Sequence, residues 1–392
     1  MHERWLTLVA FALLVTGCEG DVRGGDGVDG GRGMRDARVE SDGAPPGDRG
    51  ALDGPASVDG GGVLDGGALD GGMPRDAGGT DAGGDPPPCP DELAGTAPVE
   101  GPQGLMIQAH TMGDLCLLER ALDHVCRAHR AAGAGILHDL VLTDAVTADA
   151  AGRPTETVNE AVLDRVLARR SCFDNLFVGT VPEVILADPY EPSTINDETS
   201  RWTWLYAAQR VADAVAAYMA REAAGTAWHW YVSYEANLNY FTDATYRSSY
   251  VALLDQHVRD VKVRRDTPAV FWSPTFWTDP GGLSASARAS LRAALADLFS
   301  RVPGITWVAV QDHLGVDPAF SCADALVYHD LVRAAGPALA SVQLNVEYFE
   351  LAGGTRDGDP AELASRIRCY RDAGASLGAS FELRYWYRTH GH

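Results

Sequence analysis

The chain has 392 residues and a formal charge of −22, with 54 acidic against 32 basic side chains. No cluster of Lys and Arg offers the phosphate neutralisation that nucleic acid requires, so that partner class is excluded. The length alone admits two domains, but the composition of the first 88 residues cannot support a packed core, which leaves one.

Residues 1–18, "MHERWLTLVAFALLVTGC", carry basic side chains near the start, an apolar segment too short to span a bilayer, and small residues before a cysteine. This is the layout of a secretory signal, and its ending "VTGC" resembles a bacterial lipobox. The expectation is an exported lipoprotein, tethered to a membrane of the cell envelope by acyl chains on Cys18. Residues 19–88 repeat Gly, Asp, Ala and Pro with few large apolar side chains. Such a segment is expected to stay disordered, and a flexible linker of roughly 70 residues has an end-to-end distance of about 45 Å. Beyond Cys18 there are six further cysteines, Cys89, Cys116, Cys126, Cys172, Cys322 and Cys369. In an exported chain they permit disulfides with fifteen possible pairings, and the absence of C-x-x-C spacing argues against a zinc or redox site.

From residue 104 short apolar runs alternate with stretches of helical period, the pattern of a parallel α/β fold. The expected strands are "GLMIQAH" (104–110), "GILHDLVL" (135–142), "EVILAD" (183–188), "WHWYVSYE" (228–235), "PAVFWSPTF" (268–276), "ITWVAVQD" (305–312), "SVQLNVE" (341–347) and "GASFELRYW" (378–386). Expected helices between them include "DLCLLERALDHVCRAHRAAG", closing on Gly133, and "TVNEAVLDRVLARR", opening with a capping box at Thr157 and Glu160. A doubly wound sheet would place a Gly-rich phosphate turn after the first strand, and "QAHTMGDL" has none. Eight βα units over residues 89–392 therefore predict a single (β/α)8 TIM barrel, with functional groups at the C-terminal strand ends.

Alternation sorts each strand into two faces. In the fourth strand Tyr231, Ser233 and Glu235 oppose Trp230, Val232 and Tyr234; in the seventh Gln343, Asn345 and Glu347 oppose Val342, Leu344 and Val346. The polar sets are expected to face inward, which puts Glu235 and Glu347 across the barrel mouth from each other. In the eighth strand Ser380, Glu382, Arg384 and Trp386 form the expected inward set, with Ala379, Phe381 and Leu383 against the helices. Two carboxyls flanking a cleft are what glycoside hydrolysis uses, one as acid/base and one as nucleophile or base. A strand-end glutamate also commonly pairs with an arginine, and Arg384 is a ready partner for Glu382 or Glu347.

Candidate sugar-binding groups on or near the rim are His110, Asp188, Tyr231, Asn237, Tyr240, Trp272, Ser273, Gln311, Asn345, Glu382, Arg384 and Trp386, the flat rings suiting apolar sugar faces. Asp139 and His313 sit near strand ends too, and Asp312 has the parity of a loop cap. His110, Asp139 and His313 lack metal-motif spacing, so neither a metal nor another cofactor is expected. G-x-S-x-G does not occur, so Ser273 is expected to supply a hydroxyl and not a nucleophile.

Four segments, "WYVSYEANLNYF", "FWSPTFW", "VAVQDHLGV" and "LNVEYFE", resemble the bacterial family called domain of unknown function 4434, a group of glycoside-hydrolase-like TIM barrels. The matching positions are Trp230, Tyr231 and Glu235; Ser273 and Pro274; Gln311, Asp312, Gly315 and Val316; and Asn345, Glu347 and Phe349, within residues 104–386. The resemblance implies a barrel with its site around these motifs. Retaining barrel glycosidases often carry Asn before the strand-four acid, whereas Tyr234 precedes Glu235 here. Two readings stay open: a monomeric glycosidase, retaining favoured over inverting, acting on an oligo- or polysaccharide through Glu235 and Glu347, and an inactive carbohydrate-binding or surface-attachment lipoprotein.

Overall fold

A computed structural model describes residues 104–131, 137–276, 283–317, 320–350 and 356–385. The signal segment with Cys18, the linker, Gly133 and Trp386 lie outside them.

Eight parallel strands form the sheet: β1 (Gly104–Gln108), β2 (Leu137–Asp144), β3 (Phe173–Val178), β4 (His229–Val232), β5 (Val270–Trp272), β6 (Trp307–Gln311), β7 (Ser341–Asn345) and β8 (Ala379–Ser380). Their order is β8-β1-β2-β3-β4-β5-β6-β7, and parallel bridges Leu344–Leu377 and Glu347–Phe381 bring β8 back against β7. The result is a nearly closed α/β barrel. Its helices of eight or more residues are α1 (Leu115–Ala131), α2 (Glu160–Leu167), α3 (Glu198–Glu222), α4 (Ala244–Arg264), α5 (Ala285–Arg301), α6 (Cys322–Ala335) and α7 (Pro360–Asp372). Side-chain caps start most of them: Asp197, Asp243, Ser284, Ser321 and Asp359 each accept an N–H of the first turn, satisfying donors that the helix itself cannot.

Two cores follow from strand parity. Trp230, Val232 and Tyr234 join the large layer between strands and helices, while Met106, Val141, Phe177, Tyr231, Phe271 and Ala309 fill the barrel interior. Phe177 packs 5.0 Å from Phe271 and 5.3 Å from Trp307, ring centre to ring centre. Aromatic side chains thus plug the barrel beneath its polar mouth. Cys126–Cys172 fastens α1 to the turn before β3, and Cys322–Cys369 fastens α6 to α7. Closing loops of 46 and 47 residues is worth about 4 kcal/mol each by the chain-entropy argument.

Three sequence expectations are corrected. The third strand is "FDNLFV" at Phe173–Val178, and "EVILAD" is instead a loop that opens with a 3-10 turn, Glu183–Ile185. Pro182 has no N–H to give a ladder, and Val184, Ile185 and Leu186 are only half-buried. In β8 the faces are reversed, since Ala379 belongs to the interior cluster with Phe381 packed on it. The ladder ends at Ser380 and the chain coils into a helical turn at 383–385, so period-two alternation does not extend to Arg384. Finally, α2 is capped by Asn159, which accepts from Val162 N, because Thr157 belongs to a hairpin of Val146–Ala148 with Pro154–Val158.

Candidate functional site

A cavity of about 170 Å³ opens at the C-terminal ends of the strands, and three glutamates line it: Glu183, Glu235 and Glu347. Glu235 stands three residues past the end of β4, on the inward parity of Tyr231 and Ser233, which also line the cavity. Glu347 stands two residues past β7, buried, with its neighbours Val346 and Tyr348 turned into the outer core.

One segment, Gln311–Val316, starting at the last residue of β6, holds both of these carboxyls. The Gln311 side chain hydrogen-bonds Glu235 and also donates from Nε2 to the Ser273 carbonyl at 3.3 Å. Gly315 N donates to Glu347 Oε2 at 2.9 Å, and the Val316 N–H serves the same carboxyl. The Glu347 backbone N–H donates to Asp312 Oδ1 at 3.2 Å. Asp312 is itself buried, bonded by the Tyr370 hydroxyl at 3.0 Å and 3.5 Å from Arg366 of α7. A methyl group on Gly315 would overlap the Phe349 carbonyl and come 2.9 Å from Glu347 Oε2, so glycine is required for this grip.

The carboxyls differ in what surrounds them. Burial raises Glu347 to about 8, with the Asp312 charge adding to the effect and Arg366 and the two backbone N–H groups opposing it. Burial also lifts Glu235 well above the usual carboxyl range, reinforced by Glu183 and then Glu347 and opposed by Gln311. Glu183 rises to about 7 through burial, against the hydroxyl of Tyr190, which donates to its Oε1 at 2.6 Å. Both carboxyls are thus shifted toward the acid form, but the anion of Glu347 has backbone donors and a nearby cation to stabilise it, whereas Glu235 has two like charges against an amide.

The opposite wall comes from β1, β2 and β8. His110 Nδ1 lies 2.8 Å from Asp144 Oδ2, and His110 N donates to Asp144 Oδ1 at 3.0 Å. Burial lowers the His110 pKa, but the Asp144 charge and hydrogen bond outweigh it, so the net shift is upward. Beside it Arg384 Nε bonds Glu382 Oε2 at 2.6 Å, the partner the sequence offered, and Nη1 reaches the Thr111 carbonyl at 3.4 Å. Phe349, Phe381 and Tyr385 supply apolar surface at the rim.

Of the residues expected at the site, Glu235, Glu347, His110, Tyr231, Gln311 and Arg384 line the cavity, as does His313. Ser273 and Asn345 lie a layer deeper: Asn345 Nδ2 donates to Ser273 Oγ at 3.2 Å, and Ser273 Oγ donates to the Ala309 carbonyl at 2.8 Å. Glu382 is fully buried behind Arg384. The rest are placed elsewhere. Trp272 packs outward on Tyr250 and Phe299. Asn237 caps the turn Leu238–Thr242, Tyr240 packs on Tyr246, and Asp188 is exposed with φ of 49°. Asp139 bonds Asn175 and Gln343 lower in the barrel. Glu183, Tyr190 and Asp144 were missed, because the third strand was set ten residues late and the second was ended two residues early.

Fold and site together define an α/β barrel with a carboxyl-lined cleft. No family model matches the chain, and no curated protein matches it. Solved structures similar to it include a protein described as an alpha-L-fucosidase from Bacteroides thetaiotaomicron VPI-5482, with TM-score 0.48 and 13% identity, over 75% of this chain and 91% of that one. Another is a beta-galactosidase from Marinomonas ef1, with TM-score 0.45 and 10% identity over 71% and 53% of the two chains. A third is TsXylA, an intracellular xylanase from Thermoanaerobacterium saccharolyticum JW/SL-YS485, with TM-score 0.41 and 10% identity over 71% and 84%. At these identities the likeness is one of chain path alone.

Proposed function

We propose that the chain is an exported, membrane-anchored glycoside hydrolase acting on an oligo- or polysaccharide, with Glu235 as acid/base and Glu347 as nucleophile. The observation that carries this reading is the segment Gln311–Val316, which holds two carboxyls, the buried Glu347 and the half-buried Glu235, at one cavity in unlike surroundings. Splitting a glycosidic bond needs one group that gives a proton and one that acts as the anion, and here donors and a cation stabilise the anion of Glu347 while like charges hold the proton on Glu235.

In the reaction Glu235 gives its proton to the glycosidic oxygen while the Glu347 carboxylate attacks the anomeric carbon, and the bond to the leaving sugar breaks. Glu235, now ionised, takes a proton from water, and the resulting hydroxide displaces Glu347. Gly315 and Val316 orient the Glu347 carboxylate throughout, and Gln311 orients Glu235. The four motifs similar to the domain of unknown function 4434 family and the lipobox-like ending at Cys18 support the same reading.

The test is reducing-end release from a panel of polysaccharides by the full chain. Release from at least one glycan, with the anomeric configuration kept in the first product, is expected. Binding without release from any of them would favour the carbohydrate-binding reading.

A further inference from the structure

The wall formed by β1, β2 and β8 contains two cationic donors side by side. His110 and Arg384 both line the cavity, and Arg384 reaches the carbonyl of Thr111, the residue next to His110. Each has one edge fixed by a carboxylate that is fully buried: Asp144 on His110 Nδ1, and Glu382 on Arg384 Nε. Among the described residues no hydrogen bond uses His110 Nε2 or Arg384 Nη2, and both side chains line the cavity.

Both groups only donate in their charged forms. Asp144 favours the imidazolium of His110, and Glu382 favours the charged guanidinium. Gln108 N, 3.4 Å from Glu382, adds to the anion's support from Arg384, against the burial that raises Glu382. On the facing walls, burial moves Glu183, Glu235 and Glu347 toward their neutral forms. A donor-only pair with its counter-charges set behind it matches a group that only accepts, and a guanidinium edge matches a planar one. A sugar hydroxyl both donates and accepts; a carboxylate only accepts.

Building on the glycosidase reading, we propose that the sugar bound in this cavity is a uronate, with its carboxylate on His110 Nε2 and the outer edge of Arg384. The acid group then lies on the β1/β8 wall, and the ring is left facing Glu235 and Glu347.

The test compares oligogalacturonate and oligoglucuronate trisaccharides with the same sugars after chemical reduction of their carboxyls, plus a sulfated neutral trisaccharide. Each is titrated calorimetrically into the full chain carrying Glu235→Gln, which prevents turnover. At least one uronate should bind about tenfold or more tightly than its reduced form. Arg384→Gln should remove that advantage, and Arg384→Lys should restore part of it. The comparison of acid and reduced sugars in Glu235→Gln alone stands if either Arg384 variant fails to fold. Equal or tighter binding of the reduced form, tighter binding of the sulfated sugar, or binding of none would overturn the proposal. Hydrolysis of neutral glycans alone would leave the glycosidase reading standing without this one. Uronate binding with no hydrolysis of any glycan would do the reverse.

Discussion

The two walls of the cavity handle buried charge in opposite ways. On the β1/β2/β8 side every charge has its partner in contact, His110 with Asp144 and Arg384 with Glu382. On the β4/β6/β7 side Glu235 has an amide and Glu347 has backbone N–H groups, with Arg366 behind Asp312 and not on either glutamate. A compensated pair stays in one protonation state and serves to position. A carboxyl without a counter-ion in contact can gain or lose a proton at modest pH, which acid–base chemistry needs.

If this contrast is correct, substitutions on the two sides should differ in kind. The largest effect is on turnover: Glu347→Gln should lower kcat by at least about 10³-fold with the fold retained, measured by reducing-end release beside circular dichroism. Gly315→Ala should cost about 10²-fold in kcat, because the added methyl displaces the N–H that holds Glu347 Oε2. On the other wall stability should suffer, with Asp144→Asn costing about 3 kcal/mol in denaturant unfolding by stranding His110.

The smallest effect is a pH slope. Glu347 and Glu183 bind protons more tightly folded than unfolded, with folded values of about 8 and about 7 against the ordinary 4.5. Their protons are therefore lost on unfolding, and stability falls as pH rises from about 4.5 toward 8. Glu347→Gln should flatten that decline, so its Tm should exceed wild type at pH 8 and approach it at pH 5.

The sequence made the β4 and β7 site legible because both strands keep a strict period of two up to their ends. Tyr231 and Asn345 sit on the same inward faces as Glu235 and Glu347, and the interior cluster confirms the parity for Tyr231. The β1/β2/β8 wall was half legible. Asp144 escaped because β2 runs two residues past its apolar stretch, and β8 was misread because its ladder stops after Ser380. Glu183 was hidden by an apolar run that resembles a strand but covers the core from a loop. Trp272 shows the reverse error: an aromatic beside a motif serine, turned by alternation into the helix layer.

The division of labour between Glu235 and Glu347 is the central claim, and an aryl glycoside with an activated leaving group tests it most directly. Such a leaving group needs no proton, so Glu235→Gln should keep a rate of glycosyl transfer near wild type on it while losing about 10²-fold or more on the unactivated glycan. Glu347→Gln should lose both alike. Equal loss of both substrates in Glu235→Gln, or full activity in Glu347→Gln, would contradict the assignment.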